Sequence, residues 1–199
     1  MYSEDITVVE NFITAEEENA LKVELVDKYF EPPSPNSSST TTSNQIKIRQ
    51  AVRFGTFNPC SSGLIVSEVP DIVKMLKHRL VEQKIVDREP ESTSLNLYAP
   101  GTVILPHIDN FLHCEERVVI INFLGDGDHI YRYAPKGVIA KTPNEAKSLS
   151  VHIPSRSMVL LKGDKRYNWT HETVPQPHFR ASLTFRLKKP SVMMDIRCK

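Results

Sequence analysis

Apolar positions along this chain keep two different periods, and the change falls near residue 90. Residues 6–13 are short and rich in β-branched side chains, which predicts a strand. Thr14-Ala-Glu-Glu17 then has the spacing of a capping box, in which Thr14 accepts from a free backbone N–H and Glu17 reaches back. The helix that follows is expected to put Leu21, Leu25 and Val26 on one face and Glu16, Glu18 and Lys22 outside. Residues 46–54 alternate apolar and polar, the period of a strand. From Pro70 to about Val86, Ile72, Leu76 and Leu80 recur at four-residue spacing with Met75 alongside, and Asp71 sits in the first turn, where the helix dipole favours it. That predicts a second amphipathic helix. Beyond it come short β-like runs at 94–98, 118–124, 129–133, 157–161 and 181–187, punctuated by Gly, Pro, Asp and Asn. Two N-terminal helices ahead of a mainly β remainder predict helices packed on one face of a β-sandwich or barrel. No internal repeat is present.

Residues 31–45, EPPSPNSSSTTTSNQ, contain no apolar side chain able to offset the entropy of ordering them. A mobile surface loop inside one 1–199 domain is expected there, with a flexible substrate lid as the sharper alternative. Composition narrows the setting. The chain has 199 residues, 25 Lys plus Arg against 24 Asp plus Glu, and a formal net charge of +1. Such balance disfavours a cationic nucleic-acid coat protein or a polybasic membrane binder, yet leaves room for a nucleic-acid enzyme with a local basic groove. Cys60, Cys114 and Cys198 are odd in number and widely spaced, against a disulfide framework or a CxxC zinc site. No apolar run reaches transmembrane length, and the acidic N-terminus shows no signal peptide. The expectation is a soluble chain of a reducing compartment, cytoplasmic or nuclear, without a membrane partner.

The chemistry concentrates around His107-Ile-Asp109. In an extended chain, side chains two residues apart share a side, so the imidazole and the carboxylate can reach one cation. His171 is a candidate third ligand. Two His and one carboxylate on one face of an octahedral metal leave three positions open, which suits non-haem Fe(II); zinc is a rival for any His pair. HxD alone carries little weight. The C-terminal strand carries more. Arg180, Ser182, Thr184 and Arg186 point to one face, and Ala181, Leu183, Phe185 and Leu187 to the other. An apolar outer face calls for a helix cover, so the polar face must look into a cavity that holds anions. Arginine is the side chain for bidentate carboxylate recognition, as a dicarboxylate would require. Residues 94–98 repeat the pattern, with Leu95 and Leu97 one way and Asn96 and Tyr98 the other.

Asn96-x-Tyr98, Pro100-Gly101, His107-x-Asp109, His171 and Arg180-x-Ser-x-Thr-Phe-Arg186 together resemble the AlkB family of Fe(II)/2-oxoglutarate dioxygenases. The resemblance covers about 45–188, including Arg53-Phe54-Gly55. It implies a double-stranded β-helix, a jelly-roll of the cupin-like kind, with the two helices packed on the outer sheet. It implies His107, Asp109 and His171 as iron ligands and Arg180 as the salt-bridge partner of the distal carboxylate of 2-oxoglutarate. Asn96 and Tyr98 would hydrogen-bond that co-substrate, and Arg186 would sit near its metal-side end. The family often has Asn where Ser182 stands; Ser can donate there but reaches less far. Ser182 and the Arg-Tyr-Asn-Trp-Thr lead-in to His171 look closer to the eukaryotic tRNA- and RNA-acting branch.

The activity implied is oxidation, with O2, of a methyl group or nearby carbon on a nucleobase, with RNA or tRNA favoured over single-stranded DNA. The base must be unstacked to reach the metal. Lys47, Arg49, Arg53, Lys162, Lys165 and Arg166 are the local cations on offer, and Trp169 and Tyr167 are candidates to stack on a base. A protein substrate for the same machinery is the alternative, and a barrel kept as a non-catalytic binding module is a third. With Arg180 and Arg186 committed inside, the surface is less cationic than the count suggests, so a nucleic-acid substrate calls for a small basic patch or a protein partner.

Overall fold

The computed structural model describes residues 4–30, 50–55, 64–134 and 147–190. The loop expected over 31–45, with Lys47 and Arg49, lies outside the described residues, as do Cys60 and Cys198. Among the described residues there are ten strands: β1 (Ile6–Val9), β2 (Gln50–Gly55), β3 (Leu64–Val66), β4 (Ser92–Tyr98), β5 (Cys114–Phe123), β6 (Gly127–Tyr133), β7 (Ser148–Ile153), β8 (Met158–Leu161), β9 (Trp169–Thr173) and β10 (Arg180–Lys188). Helices α1 (Ala15–Leu21), α2 (Asp27–Tyr29), α3 (Asp71–Glu82) and α4 (Gly163–Tyr167) accompany them. Seven strands form a large sheet in the order β1-β8-β5-β10-β4-β2-β3, and β7-β6-β9 form a small one. The β2–β3 pair is parallel and the other pairings are antiparallel.

Side-chain alternation builds the layers. On β10, Ala181, Leu183, Phe185 and Leu187 face outward and share one buried cluster with Leu95 and Leu97 of β4 and with Leu21, Leu25, Leu76 and Leu80 of the helical segments. The apolar outer face is therefore covered by helices, as the strand pattern requires. Each such side chain contributes about 1.5–3 kcal/mol when fully buried. A second cluster joins Val118 and Ile120 of β5 and Val159 of β8 to Tyr131, Val151, Ile153 and Trp169 of the small sheet, so the two sheets close on each other as a jelly roll.

The capping box forms as expected: Glu17 N donates to Thr14 Oγ1 at 3.2 Å and Thr14 N to Glu17 Oε2 at 3.0 Å. Several expectations need correction. The first strand stops at Val9, because Asn11 turns the chain with φ of 52° and Ile13 enters the core beyond it. The first helix carries a π-helical turn at Lys22–Val26. Glu18 is not an outward charge. Its Oε1 accepts from Leu124 N at 2.7 Å and from Ser155 Oγ at 2.6 Å, tying the helix to the end of β5. On α3, Val73 rather than Met75 completes the buried stripe with Leu76 and Leu80, and Met75 is 39% exposed. The sequence pattern did not reveal β3, β7, β9 or α4, and β9 is the strand that carries His171.

Candidate metal centre and anion pocket

His107 lies between β4 and β5 but is bonded to β9. Its N–H donates to His171 O at 3.1 Å, and the His171 N–H returns a bond to His107 O at 2.8 Å. This two-way bridge sets the imidazoles side by side, with ring centroids 4.3 Å apart. His107 Nδ1 lies 2.9 Å from Leu105 O; donating there, it leaves Nε2 as the bare nitrogen. Asp109 follows on the same side, and one ligand atom from each of His107, Asp109 and His171 falls within 4.8 Å of the others. Two arginines fix Asp109. Arg166 Nη1 donates to its backbone oxygen at 2.8 Å, and Arg186 donates to Oδ1 through Nε (3.0 Å) and Nη2 (2.6 Å). Asp109 Oδ2 and His171 Nδ1 remain buried with no hydrogen-bond partner among the described residues.

Charge states follow from these neighbours. Burial would raise the Asp109 carboxyl, but Arg186, His171 and His107 override it and hold it well below the usual carboxylate range. Burial, reinforced by His107, pushes His171 down to about 3. The trio is therefore a carboxylate with a neutral imidazole on β9, the deprotonated donor set that a metal needs. Burial first, with Asp109 adding to it, pushes the Tyr131 phenol above its ordinary value, so it stays protonated. Tyr131 is paired in register with His171, its ring 6.0 Å away and its hydroxyl buried without a partner.

On the large sheet, which faces β9 and β6, β10 and β4 bring the predicted polar side chains together. Arg180 is paired with Tyr98 and Ser182 with Asn96. Asn96 Nδ2 donates to Ser182 Oγ at 3.4 Å and Thr184 Oγ1 at 3.2 Å, and the Tyr98 hydroxyl lies 3.4 Å from Ser182 Oγ. The Arg180 guanidinium stacks 3.7 Å over the Tyr98 ring; Nη1 donates to Asn122 Oδ1 at 3.0 Å and Nη2 has no partner among the described residues. A buried guanidinium with a spare donor fits an anionic ligand, since leaving that N–H unmet is costly. Unpartnered atoms on Asp109, His171 and Arg180 thus mark both ends of one site that suits a metal and a carboxylate.

Ser182 does reach the polar cluster despite its short side chain. Arg186 serves Asp109 directly. Arg166 is no surface cation: at 1% exposure it donates through Nη1 to the Asp109 backbone, and its Nε and Nη2 are buried with no partner among the described residues. Arg53 is partly buried and donates to Ser94 Oγ at 3.2 Å. Lys165 lies 3.6 Å from the centroid of the Trp169 ring, whose Nε1 donates to Asp164 Oδ2 at 2.9 Å and whose edge meets Tyr133. Trp169 is thereby fixed as part of the wall, 7% exposed. His129 of β6 is buried on the facing small sheet with Nδ1 unpartnered among the described residues, and burial, then Arg180, pushes its pKa well down. Sequence reading missed Asn122, Gly127, His129 and Tyr131. Asn122 had a signal, as the one polar residue in the apolar run 118–124.

No protein-family model matches the chain. It is 23% identical over 177 residues to tRNA (carboxymethyluridine(34)-5-O)-methyltransferase alkbh8 of Xenopus tropicalis, covering 86% of this chain and 25% of that protein. The mouse protein of that name is 23% identical over 197 residues, covering 96% of this chain and 27% of its own length. Protein L905 of Acanthamoeba polyphaga mimivirus is 28% identical over 141 residues, 65% of this chain and 63% of that one. The chain spans about a quarter of the length of these methyltransferases. Among solved structures, a Pseudomonas putida prolyl-4-hydroxylase superposes with a TM-score of 0.55 at 16% identity, covering 93% of each chain. OsALKBH1 superposes with a TM-score of 0.56 at 14% identity, covering 94% of this chain and 99% of that one. The fold is thus the double-stranded β-helix that these two solved structures share. In sequence and in fold, its similarities are to proteins named as AlkB homologues.

Proposed function

We propose that this protein is an Fe(II)- and 2-oxoglutarate-dependent oxygenase that oxidises a modified nucleobase, in RNA and foremost in tRNA. The observation that carries the reading is the pairing of the His107–Asp109–His171 cluster with the buried, half-satisfied Arg180 of the facing large sheet. His107, Asp109 and His171 would hold the metal; Arg180, with Asn96, Tyr98 and Ser182 beside it, would hold 2-oxoglutarate. Bound Fe(II) supplies the electron-transfer chemistry by which O2 and 2-oxoglutarate become succinate, CO2 and one oxygen placed on a substrate carbon.

The protein's own groups do the positioning. Arg186 keeps Asp109 charged and Arg166 holds its backbone, the His107–His171 bridge holds both imidazoles, and burial keeps His171 neutral. Asn96, Ser182 and Thr184 hold one another and line the wall between the two ends. Oxygen placed on an N-methyl group gives a hydroxymethyl that collapses to formaldehyde; on a C-bound carbon the hydroxyl stays. The preference for tRNA is supported by the similarity to methyltransferases named for carboxymethyluridine 34 of tRNA. A protein substrate is the second reading. It is favoured by the likeness in fold to a prolyl-4-hydroxylase and by the removal of Arg166 from the surface.

The test is incubation with Fe(II), 2-oxoglutarate, O2 and total tRNA, followed by nucleoside mass spectrometry and succinate measurement. The expected result is a nucleoside that loses a methyl group or gains one oxygen, in step with succinate. His107→Ala and Asp109→Ala abolish both. Succinate formed with a protein substrate and no nucleoside changed would transfer the activity to the second reading. Neither iron-dependent succinate nor binding of 2-oxoglutarate would leave a non-catalytic barrel.

A further inference from the structure

On β5 the outward positions Val119, Ile121 and Phe123 enter the helix-covered core, and the inward positions Val118 and Ile120 pack against the small sheet. The next inward position is Asn122, 1% exposed. A buried amide is costly unless its donors and acceptor are all met. Here Nδ2 lies 2.8 Å from Gly125 O, 3.2 Å from Ile153 O and 3.2 Å from Pro154 O. Turning the amide over would set Oδ1 against three carbonyl oxygens, so the amide has one orientation, and in it Oδ1 accepts from Arg180 Nη1 at 3.0 Å. Arg180 is confined on two further sides. The Tyr98 ring lies 3.7 Å from Cζ, and a Cβ placed on Gly127 would come within 3.1 Å of Cζ and Nη1. With Nη1 bound and these contacts fixed, Nη2 is the donor left for a ligand.

We infer that Asn122 is a positioning residue that holds the Arg180 guanidinium in the single orientation able to receive a distal carboxylate, and so makes the site select a dicarboxylate 2-oxoacid over a monocarboxylate one. This rests on Arg180 as the anchor of 2-oxoglutarate. The amide touches neither metal ligand nor ligand carbon; its effect passes through Arg180. Gly127 belongs to the same device, since the missing side chain is what lets the guanidinium lie against β6.

The test compares the Mn(II)-loaded full chain with Asn122→Leu, Gly127→Ala and Arg180→Met. Calorimetric titration with 2-oxoglutarate and with 2-oxobutyrate, which lacks the distal carboxylate, is read beside a thermal melt. Asn122→Leu is expected to weaken 2-oxoglutarate by about 10–100-fold, the worth of one charge-assisted hydrogen bond. Binding of 2-oxobutyrate, a ligand with no group for Arg180, is expected to stay within about 2-fold of wild type. Gly127→Ala reproduces that selective loss from the opposite side, and decides the matter if Asn122→Leu does not fold. A folded Asn122→Leu that binds both acids as wild type does, or loses both in parallel, overturns the inference; so does a Gly127→Ala protein with unchanged selectivity. If Arg180→Met retains wild-type affinity for 2-oxoglutarate, the anchor itself is wrong and the co-substrate pose of the proposed function fails with it.

Discussion

Replacing Arg186 by Met leaves the Asp109 carboxylate 7% exposed with its guanidinium partner gone. The pair is bonded twice to Oδ1, the shorter contact being 2.6 Å. At an effective dielectric of about 20, opposite charges at that distance attract by on the order of 6 kcal/mol, before the desolvation of both groups is counted. Removing one partner of such a pair strands the other, at a net cost of about 3–5 kcal/mol. For a domain of this size each kcal/mol moves the melting temperature by about 2–4 °C, so Arg186→Met should lower it by about 6–20 °C. The melt is run on chelator-treated protein, because a bound divalent cation would itself compensate Asp109. The double variant Asp109→Asn/Arg186→Met removes the stranded charge and should recover at least about half of the loss. A single variant that melts within about 2 °C of wild type would refute the claim that Arg186 stabilises the charged ligand.

Phe185→Ala, at a position 1% exposed under the helices, should cost about 3–5 kcal/mol in urea unfolding, while Met75→Ala on the outer side of α3 should stay within about 0.5 kcal/mol. Glu17 is held below its ordinary value chiefly by its hydrogen bond with Arg79. Its stabilisation is therefore complete above the unfolded carboxylate value of 4.5 and is lost as pH falls through the lower folded one. Wild type should exceed Glu17→Gln by about 1–3 kcal/mol at pH 7. The two should converge in acid, as denaturant melts across pH would show. Tyr131→Phe removes a buried hydroxyl that has no partner, so the ligand-free protein should be unchanged or up to about 1 kcal/mol more stable. A loss of stability would mean that the hydroxyl is bonded after all.

The site was legible where chemistry lies on one strand. Arg180, Ser182, Thr184 and Arg186 declare their face through strict alternation, because the strand period is two and the opposite face is uniformly apolar. The HxD spacing places His107 and Asp109 on one side for the same reason. Asn122 left a trace as one amide in an apolar run, and its meaning depended on Arg180, which is distant in sequence and diagonal to it across the β5–β10 pair. His129 and Tyr131 look like ordinary aromatic positions, since β6 gives no sign in sequence of which sheet it joins. Arg166 reads as a surface charge in a basic stretch; α4 turns it inward to the Asp109 backbone.

By itself the sequence determined the capping box at Thr14, the two amphipathic helical segments, the alternation of β4 and β10, and the pairing of an HxD motif with arginines on an inward face. These are properties of neighbouring residues, governed by periods of two and 3.6 and by local hydrogen bonding. Only the tertiary structure decided that His171 closes against His107 through a backbone bridge, that Arg186 charges Asp109 while Arg166 pins it, and that Asn122 aims Arg180. Each joins segments far apart in the chain, and nothing in the local sequence records the packing that brings them together.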